Sequence, residues 1–173
     1  MEQVVMPIDF AKQEALRAAG FGGFVSVKTL RETRCSDVPS VAGVYLVLRS
    51  NPGLPKYTTK NQGGHFKGKD PSILLSELDS NWVTGALVIY IGKAGGGASQ
   101  STLRKRLWSF MRFGAGEPVG HWGGRLIWQL EDCSELILCW KPTGVLDAGA
   151  YESELIAAFA RTYGARPFAN LRD

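Results

Sequence analysis

The chain has 173 residues, 45% hydrophobic and 21% charged, the balance of one globular domain with a sizeable core. No stretch of about 18 apolar residues occurs, which excludes a membrane-spanning helix, and the first twenty residues lack the order of an export signal. The net charge is +4, and the three cysteines Cys35, Cys133 and Cys139 form no CxxC pair, which argues against a disulfide framework or a zinc site and for a reducing, cytoplasmic setting.

Residues 9–20 place Phe10, Leu16 and alanines at helical spacing, with Asp9 as candidate N-cap and Gly20 as stop. FVSV (24–27) alternates weakly and predicts a short strand. VAGVYLVLR (41–49), apolar and β-branched after Pro39, predicts a strand. Residues 50–70 hold two prolines, four glycines and little periodicity, so they form a long connection with a hairpin or an ordered loop inside it. Residues 71–82 suit a short helix with Pro71 in its first turn, and ALVIYIG (86–92) suits a second strand. Residues 101–113 form an amphipathic helix with Leu103, Leu107, Phe110 and Met111 on one face. RLIWQL and SELILCWK read as a hairpin across Glu131 and Asp132, supplying a third strand and a fourth. Residues 151–164 form a helix ending at Gly164. The predicted fold is one α+β domain spanning 1–173, with a small, mainly antiparallel sheet flanked by helices. It has an N-terminal helical extension (1–37) and a long insertion (50–85) between the first two central strands.

Charge is unevenly distributed. Between Thr84 and Arg125 lie Lys93, Arg104, Lys105, Arg106, Arg112 and Arg125 against Glu117 alone. Between Leu126 and Ala160 lie Glu131, Asp132, Glu135, Asp147, Glu152 and Glu154 against Lys141 alone. A solvated face accounts for either run. Together they also supply what a nuclease needs, cations for a phosphate backbone and a carboxylate for a metal. The basic surface read as a nucleic-acid interface comprises Arg104, Lys105, Arg112, Trp108, His121 and Arg125. Trp122, Trp128 and Trp140 read as core, leaving Trp108 as the stacking candidate between Arg104 and Arg112. The glycines at 95–97 follow the lysine instead of preceding it, so they do not form a P-loop.

GVY (43–45) and YIG (90–92) each set a tyrosine near a glycine on a strand. They are followed by LRKRL, then ESELI, then PFAN. This combination resembles the GIY-YIG nuclease superfamily from about Val38 to Asn170. In local wording it is most similar to the nuclease domain of the bacterial excision-repair incision subunit. The resemblance implies catalytic roles for Tyr45, Tyr90, Lys93, Arg106, Glu152 and Asn170. It implies one divalent ion, Mg²⁺ or Mn²⁺, on Glu152, with Glu154 as the fallback ligand. It also implies a DNA substrate, double-stranded or branched.

The chemistry fits these residue types. A phenol with a pKa near 10 is a weak base at neutral pH, and an ammonium such as Lys93 favours its anion. Mg²⁺ keeps most of its waters and needs few protein ligands. Arginine grips phosphate oxygens in bidentate fashion and does not titrate, and an asparagine fixes a loop or a carboxylate by hydrogen bonds. The expected mechanism has Tyr45, helped by Lys93, take a proton from water while Arg106 clamps the phosphate and Tyr90 positions it.

Two features depart from the family pattern. The half-motifs are far apart, separated by an insertion that is either a specificity element or a structural elaboration. Phe110 stands where relatives often carry tyrosine or histidine, which throws more weight on Lys93; His121 is offered as a substitute, against the commoner reading of an isolated histidine that satisfies a local hydrogen bond. The alternative reading is a catalytically inactive nucleic-acid-binding or protein-interaction module on the same fold. No second DNA-reading domain is recognisable, so specificity rests on the insertion, a protein partner or a homo-oligomer.

Overall fold

The computed structural model describes residues 7–171. Among them the order is α1 (Gln13–Ala18), β1 (Gly22–Ser26), α2 (Val27–Glu32), β2 (Gly43–Leu48), α3 (Leu75–Asn81), β3 (Val88–Ala94), α4 (Leu103–Gly114), β4 (Ile137–Pro142) and α5 (Ala148–Tyr163). The strands form one open antiparallel sheet in the spatial order β1-β4-β2-β3. The α+β class and the antiparallel sheet expected from the sequence are present. No helix among the described residues is long and apolar enough to cross a membrane.

Every residue of β2 is buried, because this central strand is covered on both faces. On one face Val44, Leu46, Leu48, Ile91 and Cys139 pack against Leu155, Ile156 and Phe159 of α5, with Phe10 and Leu16. On the other, Tyr45, Val47, Tyr90, Leu138 and Trp140 pack with Leu103, Leu107, Phe110 and Met111 of α4. Burial of each such leucine contributes about 1.5–3 kcal/mol. Thr102 caps α4 by accepting from the Lys105 amide at 3.3 Å. Asp147 caps α5 by accepting from the Ala150 amide at 2.8 Å, and Gly164, at φ +73°, ends it in the left-handed conformation. The three cysteines are free and buried, and burial pushes the Cys35 and Cys139 thiols up to about 12.

Three local expectations are corrected. The residue before α1 is Lys12, and Asp9 instead accepts from the Ala11 amide at 2.9 Å in a turn ahead of the helix. Pro71 lies before α3, which starts at Leu75. RLIWQL is not a strand. Residues Trp122–Gln129 form 3-10 turns kinked at Gly124, and only SELILCWK supplies a strand, β4. The physical reason is twofold. Leu126 through Leu130 are buried one after another, without the alternation of a half-buried strand. Both edges of β4 are already taken, by β1 and by β2.

The buried turns hold the insertion in place. Gln129, 0% exposed, accepts from the Ile73 amide at 2.9 Å and donates to the carbonyls of Thr58 (3.0 Å) and Ile73 (2.8 Å). Asn61 donates to the Arg125 carbonyl at 2.7 Å. At the start of the insertion, buried Arg49 pairs with Asp132 at 2.8 Å and bonds the carbonyls of Asn51 and Gly53. Phe168 of the C-terminal tail stacks on Tyr57 and meets Trp82 edge-on. The insertion therefore braces both the 121–130 turns and the tail.

Candidate active site

The pairing of β2 with β3 sets Tyr45 opposite Gly92 and Val47 opposite Tyr90, which puts both tyrosines on the α4 face. A Cβ on Gly92 would fall 2.5 Å from the Tyr45 hydroxyl oxygen, so glycine is the residue that lets the phenol lie across β3. Behind Tyr45 stands His121. Its Nε2 is 2.9 Å from the Tyr45 hydroxyl, and its ring stacks on Phe110 with centroids 4.3 Å apart. Arg106 holds the approach to this turn by donating from Nη1 to the Gly120 carbonyl at 3.1 Å.

Electrostatics order these groups. Burial raises the Tyr45 pKa, while the Arg106 guanidinium and the Tyr90 hydroxyl pull it back down. Tyr90 is raised further, by burial and then by Tyr45. The Tyr45 and Tyr90 rings lie side by side with centroids 6.0 Å apart, so each phenol acts on the other's titration. Burial, followed by Arg106, holds His121 well below the ordinary 6.5, so the ring is neutral at pH 7. Its Nδ1 is buried without a hydrogen-bond partner among the described residues. In the tautomer that carries its proton on Nδ1, Nε2 accepts from the Tyr45 hydroxyl. The series Tyr90, Tyr45, His121 thus runs inward from the solvent, since Tyr90 lines the cleft while Tyr45 and His121 are 0% and 1% exposed.

The cleft follows β3, which is an edge strand. One lobe, about 260 Å³, is lined by Lys93, Gly95, Gly96, Ser99, Ser101 and Arg106. The other, about 550 Å³, is lined by Trp122, Gly123, Arg125, Asn170 and Leu171. Tyr90 and Glu152 line both lobes and stand at their junction. Glu152 comes from α5, on the other side of the sheet from α4. Burial raises its pKa, and Lys93 and Arg106 act against that. Glu154 is exposed, so of the two glutamates Glu152 belongs to the cleft. Asn170 completes the edge. Its Oδ1 accepts from the Ile91 amide at 2.9 Å, and its Nδ2 donates to the Ile91 carbonyl at 2.8 Å. The side-chain amide takes the place of a fifth strand at this position.

The residues predicted for the site are therefore brought together, with two changes of role. Lys93 pairs with Val44, whose side chain packs on the α5 face, so it lies across the sheet from Tyr45. Its ammonium lies beside Gly149 at the start of α5 and forms no ion pair among the described residues. The cation that acts on Tyr45 is Arg106. Tyr45 is enclosed, and Tyr90 is the phenol at the cleft.

The predicted nucleic-acid surface is more dispersed. Arg104 is spent on the carbonyls of Val38 (2.7 Å) and Ser36 (2.8 Å). Arg112 pairs with Glu117 at 2.6 Å. Lys105 is exposed, and Trp108 is half-buried against the core. His121 is not a surface residue, because Phe110 and Tyr45 enclose it. Arg125 does line the cleft, with its guanidinium 4.7 Å over the Trp122 ring. Trp122 is the cleft residue that sequence reasoning missed. The glycine at 124 was the available signal, since a Cβ there would meet the His121 ring at 3.1 Å and the segment is too close-packed for an ordinary strand.

A divalent ion here would rest on Glu152. The described residues contain no group of three or more His, Cys, Asp or Glu arranged to hold a metal. Glu152 makes no salt bridge among them. One unpaired, half-buried carboxylate facing a cleft fits an ion that keeps most of its waters and takes its remaining oxygens from a phosphate. Compared with protein-family models, curated proteins and solved structures, the chain matches none.

Proposed function

We propose that the chain is a metal-dependent endonuclease that hydrolyses phosphodiester bonds in DNA, with a site of the GIY-YIG type. One observation carries this reading. Tyr90, Arg106, Glu152 and Asn170, from a strand, two helices and a tail, line one cleft along the edge of β3, with Tyr45 directly behind. These groups match the needs of phosphodiester hydrolysis: a path for the water's proton, a fixed cation for the phosphate, and a carboxylate for a metal.

In this mechanism Tyr90 holds the attacking water. As the water's oxygen bonds to phosphorus, its proton passes to the Tyr90 oxygen, the Tyr90 proton to Tyr45, and the Tyr45 proton to Nε2 of neutral His121. The bond from phosphorus to the leaving oxygen breaks on the opposite side, that oxygen takes its proton from solvent, and the proton on His121 returns outward along the same series to solvent. The depressed pKa of His121 keeps the ring free to accept at pH 7 and makes the imidazolium short-lived. Arg106 binds the non-bridging phosphate oxygens, and Asn170 fixes the backbone beside Tyr90. A divalent ion on Glu152 would supply Lewis-acid polarisation of the phosphate.

The test is nicking of supercoiled plasmid with Mg²⁺, Mn²⁺ or EDTA by the wild type, Glu152→Gln and Arg106→Ala, with folding checked by circular dichroism. The expected result is metal-dependent nicking that falls at least about a hundredfold in each variant. Folded variants that nick as fast as wild type refute the assignment. Salt-sensitive DNA binding without cleavage by any of the proteins selects the binding-module reading.

A further inference from the structure

The two lobes that meet at Tyr90 and Glu152 differ in chemistry. The smaller is cationic and hydroxylated, with Lys93, Arg106, Ser99, Ser101 and a glycine backbone, which suits phosphate oxygens. The larger offers the Trp122 indole, the Arg125 guanidinium over that indole, the Leu171 side chain and the Asn170 amide. Its volume of about 550 Å³ lies in the range that holds a small organic ligand. Gly123 keeps the floor open, because a Cβ there would meet nothing nearer than the Tyr90 hydroxyl at 3.9 Å. A phosphate site and an aromatic, hydrogen-bonding seat thus lie side by side, separated by the residues placed at the scissile bond.

A base within a duplex has both faces covered by its neighbours and its Watson–Crick edge paired. It reaches an aromatic seat only if it is unpaired or flipped out. Stacking on an aromatic side chain is tolerant of sequence, because every base has a π-face. Arginine stacked on the same ring adds a donor and a second flat surface.

We infer that the larger lobe seats the base of an unpaired nucleotide next to the phosphate held at Tyr90, Arg106 and Glu152. The preferred substrate is then DNA with a locally single-stranded element, such as a flap, an overhang or a gap. This inference rests on the nuclease reading and specifies which DNA that site takes.

The experiment separates binding from cleavage. Fluorescein-labelled DNAs are compared by anisotropy in the presence of EDTA, using the full chain carrying Glu152→Gln: a blunt duplex, the same duplex with a short single-stranded flap, and a single strand. The flap duplex and the single strand should bind about tenfold or more tighter than the blunt duplex. Adding Trp122→Ala should remove most of that preference, and Trp122→Phe should keep most of it. Gly123→Leu fills the lobe from an exposed position, where only the Tyr90 hydroxyl lies within 4 Å of the new Cβ, so it guards against a folding defect in Trp122→Ala. It should remove the preference as well.

Equal binding of all three DNAs overturns the inference, as does a preference that survives both Trp122→Ala and Gly123→Leu. Plasmid nicking by the wild type with no preference in this assay leaves the nuclease reading standing and removes the base seat alone. A Trp122-dependent preference in a wild-type chain that cuts no DNA supports the seat and removes the nuclease reading.

Discussion

The Tyr45 hydroxyl and His121 Nε2 lie 2.9 Å apart in the buried interior, although the two residues are 76 positions apart in the chain. Helix α4 offers no proton-exchanging group there, because Phe110 occupies that position. The histidine arrives instead from the 3-10 turns after α4 and stacks on Phe110. If this pair acts as one relay, its members are not independent. Tyr45→Phe and His121→Asn should each lower the nicking rate about a hundredfold, and the double variant should lose little more than either single one. Single-turnover rates on labelled DNA measure this, and multiplicative losses would separate the two residues into distinct roles.

Gly92 is fixed by the ring that crosses it. Gly92→Ala should destabilise the fold by about 1–3 kcal/mol, since the added carbon meets a side chain buried on all sides. It should also displace the Tyr45 hydroxyl from His121 and reduce nicking. Urea denaturation with parallel nicking assays is the measurement, and an unchanged midpoint would show that the phenol has room to move.

Two arginines two residues apart should behave differently. Arg104 is tied to the carbonyls of Val38 and Ser36, so Arg104→Ala should cost about 1.5 kcal/mol of stability and leave nicking largely intact. Arg106 lines the cleft, so Arg106→Ala should reduce nicking about a hundredfold or more with a small change in midpoint. The reverse pattern would move the phosphate contact to Arg104.

His121 makes stability depend on pH. Its folded pKa lies well below the 6.5 of the unfolded chain. The unfolded state therefore gains a proton first as pH falls, and stability is lost from about 6.5 down towards the folded value, by at most about 1.4 kcal/mol per pH unit. Glu152, with its raised pKa, acts in the opposite sense and softens the acid loss. The wild-type urea midpoint should fall between pH 7 and pH 5, and His121→Phe should flatten that slope. An equal slope in both proteins would assign the acid sensitivity to other groups.

Gln129 should be the anchor of the insertion. Gln129→Leu strips partners from the Ile73 amide and from the carbonyls of Thr58 and Ile73, with a cost of about 3 kcal/mol. Limited proteolysis should then cut within residues 50–85 faster than in the wild type. Unchanged proteolysis would mean that Asn61 and Arg49 suffice to hold the segment.

Local physics alone determined much of this protein. The β-branched runs around Tyr45 and Tyr90 became β2 and β3, the Leu103, Leu107, Phe110 and Met111 spacing became the buried face of α4, and Gly164 ended α5. Those patterns are legible because each records burial of one face at the period of its own backbone. The choice of Glu152 over Glu154, the fate of RLIWQL and the positions of His121 and Trp122 were decided by tertiary structure, whereas the opposite facing of Tyr90 and Lys93 follows from strand alternation alone. The deciding partners are distant in sequence: Tyr45 for His121, the insertion backbone for Gln129 of RLIWQL, and, for the tail, the edge of β3 for Asn170. Such contacts leave no periodicity in the chain, because they depend on which edges and faces remain open once the sheet has formed.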